Sequence, residues 1–171
     1  MNPKKFTFVV GGAASGKSAH AESLVLGAGG TPVYIATAEA HGAEMAAKIA
    51  AHREARAGRG WRTVEAPLDV AEVLKAATGE ETVLLDCATL WLTNVMLAGR
   101  DVEAEADRLL DALSACAAPV VVVSNEVGAG IVPETSLGRR FRAAQGRLNQ
   151  RLAAAADHVV TVIAGLPLVL K

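Results

Sequence analysis

The sequence predicts an α/β fold: a mostly parallel sheet with helices on both faces. Short β-branched runs at residues 6–10, 33–37, 82–86, 120–124 and 158–164 alternate with longer stretches rich in Ala, Leu, Glu and Arg. The run Val120-Val121-Val122-Val123 is apolar at every position, as a strand is when helices cover both faces of a parallel sheet. A length of 171 residues suits one domain with a substantial core, so residues 1–171 are read as a single unit.

The first run, Phe6-Thr7-Phe8-Val9-Val10, passes directly into Gly11, Gly12, Ala13, Ala14, Ser15, Gly16, Lys17 and Ser18, which satisfy the P-loop pattern G-x-x-x-x-G-K-[ST]. In that pattern glycines let backbone N–H groups wrap a phosphate while the next helix turns its positive end toward it. Lys17 then reaches the β and γ phosphates, and the Ser18 hydroxyl meets Mg²⁺. A glycine-rich turn matching by chance would not require the strand before it or the helical pattern after it, and both are present.

A loop at 27–32 leads to the second run, which ends in Ala36-Thr37-Ala38-Glu39. Residues 44–56 read as a helix with positions 45, 49, 52 and 56 on one stripe. Met45 and Ile49 anchor the stripe, His52 and Arg56 extend toward its margin, and Arg53 adds a second guanidinium. Neutral imidazole can attack phosphorus, and neighbouring cations neutralise a transferring phosphoryl group; the alternative is a solvated histidine on a charged helix. The third run ends at Asp86, either a carboxylate that holds Mg²⁺ opposite Ser18 or the N-cap of a helix starting near Ala88, and one residue can do both. The polyvaline run opens into Ser124-Asn125-Glu126-Val127-Gly128 and a loop at 128–133. After the fifth run, Gly165 and residues 166–170 predict a tight hairpin to a final strand that makes the sheet mixed at one edge. Ligands of parallel sheets collect beyond the carboxyl ends of the strands, so one crevice is expected to gather the polar residues after the first four runs.

A net charge of −1 argues against a nucleic acid or an anionic membrane as main partner, while a local basic pocket still suits small acidic metabolites. The apolar runs are too short and too interrupted to span a bilayer. The basic start, Met1 to Lys5, leads into a short strand rather than a signal-peptide core, which predicts a cytoplasmic protein. Cys87 and Cys116 match no metal or redox spacing and are expected to be reduced and buried.

Taken together, the chain resembles the bifunctional adenosylcobinamide kinase/adenosylcobinamide-phosphate guanylyltransferase family of cobalamin biosynthesis. The resemblance runs nearly end to end. It rests on the P-loop at 11–18, Tyr-Ile-Ala-Thr-Ala at 34–38, Glu-Met-Ala-Ala-Lys-Ile-Ala-Ala-His-Arg at 44–53 and Trp-Arg-Thr-Val-Glu at 61–65. It continues through Leu-Leu-Asp-Cys at 84–87, Leu-Thr-Asn at 92–94, Asn-Glu-Val-Gly-Ala-Gly-Ile-Val-Pro-Glu at 125–134 and Gly-Arg-Leu-Asn-Gln-Arg-Leu-Ala-Ala-Ala-Ala-Asp at 146–157. The P-loop is shared by many enzymes; the helix carrying His52 and the Asn-Glu-Val-Gly segment, in this order, are particular to this family.

The resemblance implies a P-loop NTPase fold of the RecA-like type. It also implies two reactions: phosphorylation of the aminopropanol hydroxyl of adenosylcobinamide with ATP or GTP, then transfer of GMP from GTP to that phosphate through a guanylylated histidine. The matching nucleophile is His52, with Lys17 the second catalytic residue. Carried over as nucleotide contacts are Gly11 to Ser18, Ala36, Thr37, Ala38, Arg53, Glu54, Ala55, Arg56, Glu65 and Asp86, with Ser18 and Asp86 on Mg²⁺. A homotrimer is implied as well. Many members carry arginine where this chain has Ala14, so backbone cradling should survive without that side chain. Glu126 is read as a general base for the kinase step or as a residue that holds its own loop. A generic small-molecule kinase would share the P-loop and make His52 irrelevant; a GTP-responsive switch would need a base-reading signal that is not found.

Overall fold

The computed structural model describes residues 5–39 and 42–171, apart from the side chains of Lys48 and Ala55. Residues 1–4 of the N-terminal segment therefore lie outside the described residues. Seven strands form one sheet in the order β3-β2-β4-β5-β1-β6-β7. They are β1 (Phe6–Gly11), β2 (Thr31–Ala36), β3 (Arg62–Glu65), β4 (Glu81–Asp86), β5 (Val120–Asn125), β6 (His158–Ile163) and β7 (Leu166–Val169). All neighbouring pairs are parallel except β6 and β7. That exception is the expected hairpin, and its turn residues Ala164 and Gly165 both have positive φ (51° and 79°), which a two-residue hairpin of the favoured twist requires.

Strand alternation sorts the core into two layers. Phe6, Phe8, Val33, Ile35, Val83, Leu85, Val120 and Val122 face one side, where they meet buried residues of α3 (Val70–Ala76), α4 (Ala88–Leu97), α5 (Val102–Ala115) and α6 (Ser136–Ala155). Val9, Tyr34, Leu84, Val121, Val123, Val160 and Val162 face the other, against Ala21 and Val25 of α1 (Lys17–Ala28). Helices on both faces were expected, and the heavier layer is on one of them. Local chemistry starts these helices: the Asp101 carboxylate accepts from the N–H groups of Glu103 and Ala104 at the head of α5, and the Thr135 hydroxyl accepts from Gly138 N–H at the head of α6.

Two expectations need correction. The loop at 27–32 shrinks to Gly29 and Gly30, because α1 continues to Ala28 and β2 begins at Thr31. Gly30 has φ of +79°, and a Cβ there would lie 2.7 Å from the Glu80 carbonyl, so only glycine makes so short a turn. Strand β3 was not anticipated; it is a four-residue edge strand paired with β2.

Candidate active site

The P-loop is wedged between its own strand and the β6–β7 turn. A Cβ on Gly11 would lie 2.6 Å from both Ser15 Oγ and the Val162 carbonyl, and one on Gly16 (φ +91°) would lie 3.1 Å from Gly165 Cα. Gly165 N–H donates to the Ser15 carbonyl at 2.8 Å, tying hairpin to loop. Helix α1 begins at Lys17 with no side chain capping its first turn, so its leading N–H groups remain for an anion. Lys17 is buried, and its ammonium donates to the Gly12 carbonyl at 2.9 Å, which holds it at the centre of the loop. Ala14 adopts φ of +53° with its side chain exposed, so the loop takes its shape with alanine there.

Above the loop a cavity of about 1050 Å³ opens over the carboxyl ends of β1 to β5. Its floor is Lys17, Ser18, Ala36, Ala38, Glu39, Glu65, Asp86 and Asn125; its far wall is Met45, Ile49, His52, Arg53 and Arg56 of α2 (Ala43–Arg56). The single crevice expected beyond the strand ends is therefore present. The four-position stripe on α2 also faces inward, but Met45 and Ile49 join the cavity wall rather than a core cluster.

Arg56 departs from its expected place at the margin. It is buried at 5 % exposure, with its guanidinium carbon 3.5 Å from the centroid of the Tyr34 ring, a cation–π contact. Its Nε and Nη1 find no hydrogen-bond partner among the described residues. Those two nitrogens are out of solvent reach, so what Arg56 offers the cavity it lines is its positive charge, which favours an anion there. Tyr34 in turn donates to Asp86 Oδ2 at 3.0 Å, and Trp61 meets its ring edge-on at 6.0 Å. Burial, reinforced by Asp86, raises the Tyr34 hydroxyl's pKa, so it stays a donor. Arg53 pairs with Glu65, fastening α2 to β3.

Other candidates are not in the lining. Thr37 is fully buried and turned into the fold: its hydroxyl donates to the Cys87 carbonyl and accepts from Cys87 N–H, both at 2.9 Å. Asp86 does not cap α4; Cys87 is the N-cap, its sulfur accepting from Leu90 N–H. Both cysteines are free and buried, as expected. Glu54 is exposed and absent from the cavity wall, and the Ala55 side chain lies outside the described residues. Gly11, Gly12, Ala13, Ala14, Ser15 and Gly16 shape the loop beneath the cavity rather than lining it. Glu126 is exposed and accepts from Gly128 N–H, which favours the loop-holding reading over the general base. Tyr34 was missed as a site residue, although it is the chain's one tyrosine; Asn125 was expected in the crevice as one of the polar residues after the fourth run, but with no role of its own.

The sequence model of the cobinamide kinase/cobinamide phosphate guanyltransferase family matches residues 7–170. The chain belongs to that family. It is 42% identical over 166 residues to the bifunctional adenosylcobalamin biosynthesis protein CobP of Pseudomonas aeruginosa PAO1, covering 95% of each chain. It is 43% identical over 179 residues to the bifunctional adenosylcobalamin biosynthesis protein CobU of Escherichia coli K12, covering 95% of this chain and 98% of the relative. Among solved structures, the RadB recombinase superposes with a TM-score of 0.56 at 19% identity, over 94% of this chain and 74% of that one. That likeness speaks to the fold, which is of the RecA-like P-loop type. Membership of the family carries its two activities, cobinamide kinase and cobinamide phosphate guanyltransferase.

Proposed function

We propose that both activities run in the one cavity, with the guanylyl group passing through His52. The observation that supports this reading is that Lys17, Ser18, Asp86 and His52 line the same space. In the first reaction the hydroxyl of adenosylcobinamide attacks the γ-phosphorus of ATP or GTP and the nucleoside diphosphate leaves. Charge on the transferring group is met by Lys17 and the N–H groups at the head of α1. In the second, an imidazole nitrogen of His52 attacks the α-phosphorus of GTP and the α–β bond breaks to release pyrophosphate. A phosphate oxygen of adenosylcobinamide phosphate then displaces His52 to give adenosylcobinamide-GDP. Dividing the transfer in two spares the enzyme a direct encounter between two anions. Arg56, a cation on the cavity wall, suits the triphosphate throughout.

Mg²⁺ fits the donor set. No group of three or more His, Cys, Asp or Glu suited to a metal ion occurs among the described residues. A hydroxyl and a carboxylate beside phosphates are what a hard cation that keeps its waters uses. Ser18 and Asp86 would hold it, and it would neutralise the β and γ phosphates. We assign the enzyme to the cytoplasm, where its nucleotides are, and to a homotrimer. In support of self-association, Ile163, Leu166, Leu168 and Val169 leave the edge hairpin apolar and exposed. No helix among the described residues is long and apolar enough to cross a membrane.

Incubation with α-labelled GTP tests the reading. Acid-labile, base-stable label on the protein, absent in His52→Ala, is the expected result. Guanylyl transfer that proceeds in His52→Ala would overturn it.

A further inference from the structure

We propose that Asn125 is a catalytic residue of the phosphoryl-transfer step, its carboxamide donating to the transferring γ-phosphoryl group. This rests on the two-reaction reading above.

Strand β5 lies between the P-loop strand and the strand that ends in Asp86, and its last residue sits level with the first P-loop glycine, Gly11. On β4, Asp86 is level with Val123, so Asn125 reaches one alternation further on the same face of the sheet as Asp86. Asn125 lines the same cavity as Lys17 and Ser18.

The backbone there is clamped from behind. Asn125 N–H donates to Thr89 Oγ1 at 2.8 Å, Asn149 Nδ2 donates to the Asn125 carbonyl at 3.1 Å, and the next N–H, of Glu126, donates to the Gly11 carbonyl at 2.9 Å. Asn149 is itself held by the buried Ser124 and Gln145, at 2.6 and 2.9 Å. The clamp spends the backbone groups and leaves the carboxamide, which bonds no other described residue. An unspent amide on a fixed backbone at the cavity floor can be ordered by the phosphate it receives, as electrostatic stabilisation requires.

Asparagine also suits the charge. As the hydroxyl oxygen bonds to the γ-phosphorus and the bridging bond to the β-phosphate breaks, electrons pass to the departing diphosphate and the hydroxyl proton passes late to a non-bridging oxygen of the new phosphate. A neutral amide supplies donors to those oxygens without adding negative charge or titrating.

The test follows both labels in the full chain: γ-labelled ATP for phosphorylation of adenosylcobinamide, and α-labelled GTP for labelling of His52. In Asn125→Ala, kcat for phosphorylation is expected to fall about 100-fold, with the KM for ATP and the rate of His52 labelling each changing by less than about threefold. The isosteric Asn125→Asp is expected to fall at least as far, because its carboxylate repels the phosphates. Phosphorylation within about threefold of wild type in either variant, or both reactions falling together, overturns the assignment. A wild-type enzyme that transfers neither group overturns the parent reading and this one with it, a distinct outcome from an active wild type matched by Asn125→Ala.

Discussion

The Tyr34 hydroxyl donates to Asp86 Oδ2 at 3.0 Å while the same ring carries the Arg56 guanidinium 3.5 Å from its centroid. One side chain thus orients the carboxylate assigned to Mg²⁺ and the cation on the opposite wall. Tyr34→Phe keeps the ring and removes the donor. It is expected to cost about 1 kcal/mol of stability and to raise the Mg²⁺ needed for half-maximal activity several-fold, with Arg56 still seated. Calorimetric titration of Mn²⁺ into the protein with a non-hydrolysable GTP analogue checks it; unchanged affinity would contradict the positioning role.

Arg56 should not be replaceable by lysine. Arg56→Lys keeps the charge but loses the planar guanidinium that stacks on Tyr34 and fixes that charge on the cavity wall. GTP affinity is expected to drop about tenfold, equivalent to about 1.4 kcal/mol, as read by equilibrium binding. Arg53→Ala breaks only an exposed pair with Glu65, so its effect on folding stability is expected to stay within about 1 kcal/mol.

At Gly11 a methyl group has nowhere to go, since Ser15 Oγ and the Val162 carbonyl both sit 2.6 Å from its position. Gly11→Ala is expected to destabilise the protein by about 1–3 kcal/mol and to abolish nucleotide binding by shifting the P-loop. Thermal melts with and without GTP check both: the variant melts lower and gains nothing from ligand.

Burial, with the Asp86 carboxylate beside it, pushes the Cys87 thiol up from 9.0 to about 11. A thiol whose pKa is higher folded than unfolded stabilises the fold fully below the unfolded value and loses that contribution as pH climbs through the folded one. Two pKa units correspond to about 3 kcal/mol. Cys87→Ala is therefore expected to flatten the fall in Tm between pH 9 and 11 relative to wild type, and iodoacetamide at neutral pH should leave native Cys87 unmodified. Equal slopes in the two proteins would contradict the assignment.

The fold was legible where the signal was local. The P-loop is a backbone shape encoded in eight consecutive residues, and the five long strands announce themselves by runs of β-branched side chains. Strand β3 does not, because Arg62, Thr63 and Glu65 are exposed and only Val64 is partly buried. Strand order was not legible either, since polyvaline pairs equally well with any apolar neighbour. At the site, helical spacing put His52 on the same stripe as Met45, Ile49 and Arg56, and all four line the cavity, with His52 exposed at its edge. Thr37 was misjudged because nearness to a strand end does not give direction: Ala36 and Ala38 line the cavity, and the residue between them points the other way. Arg56 could not be placed because its burial depends on Tyr34, and helical spacing does not say how α2 folds back over the strand before it.

The most direct test of the shared cavity is peptide mass spectrometry of the protein after incubation with GTP and Mg²⁺ at mildly alkaline pH. The account predicts a GMP adduct on His52, lost when Lys17 is replaced by alanine, since the triphosphate is then no longer held against the imidazole. An adduct on another residue, or labelling of His52 undiminished in Lys17→Ala, would contradict it.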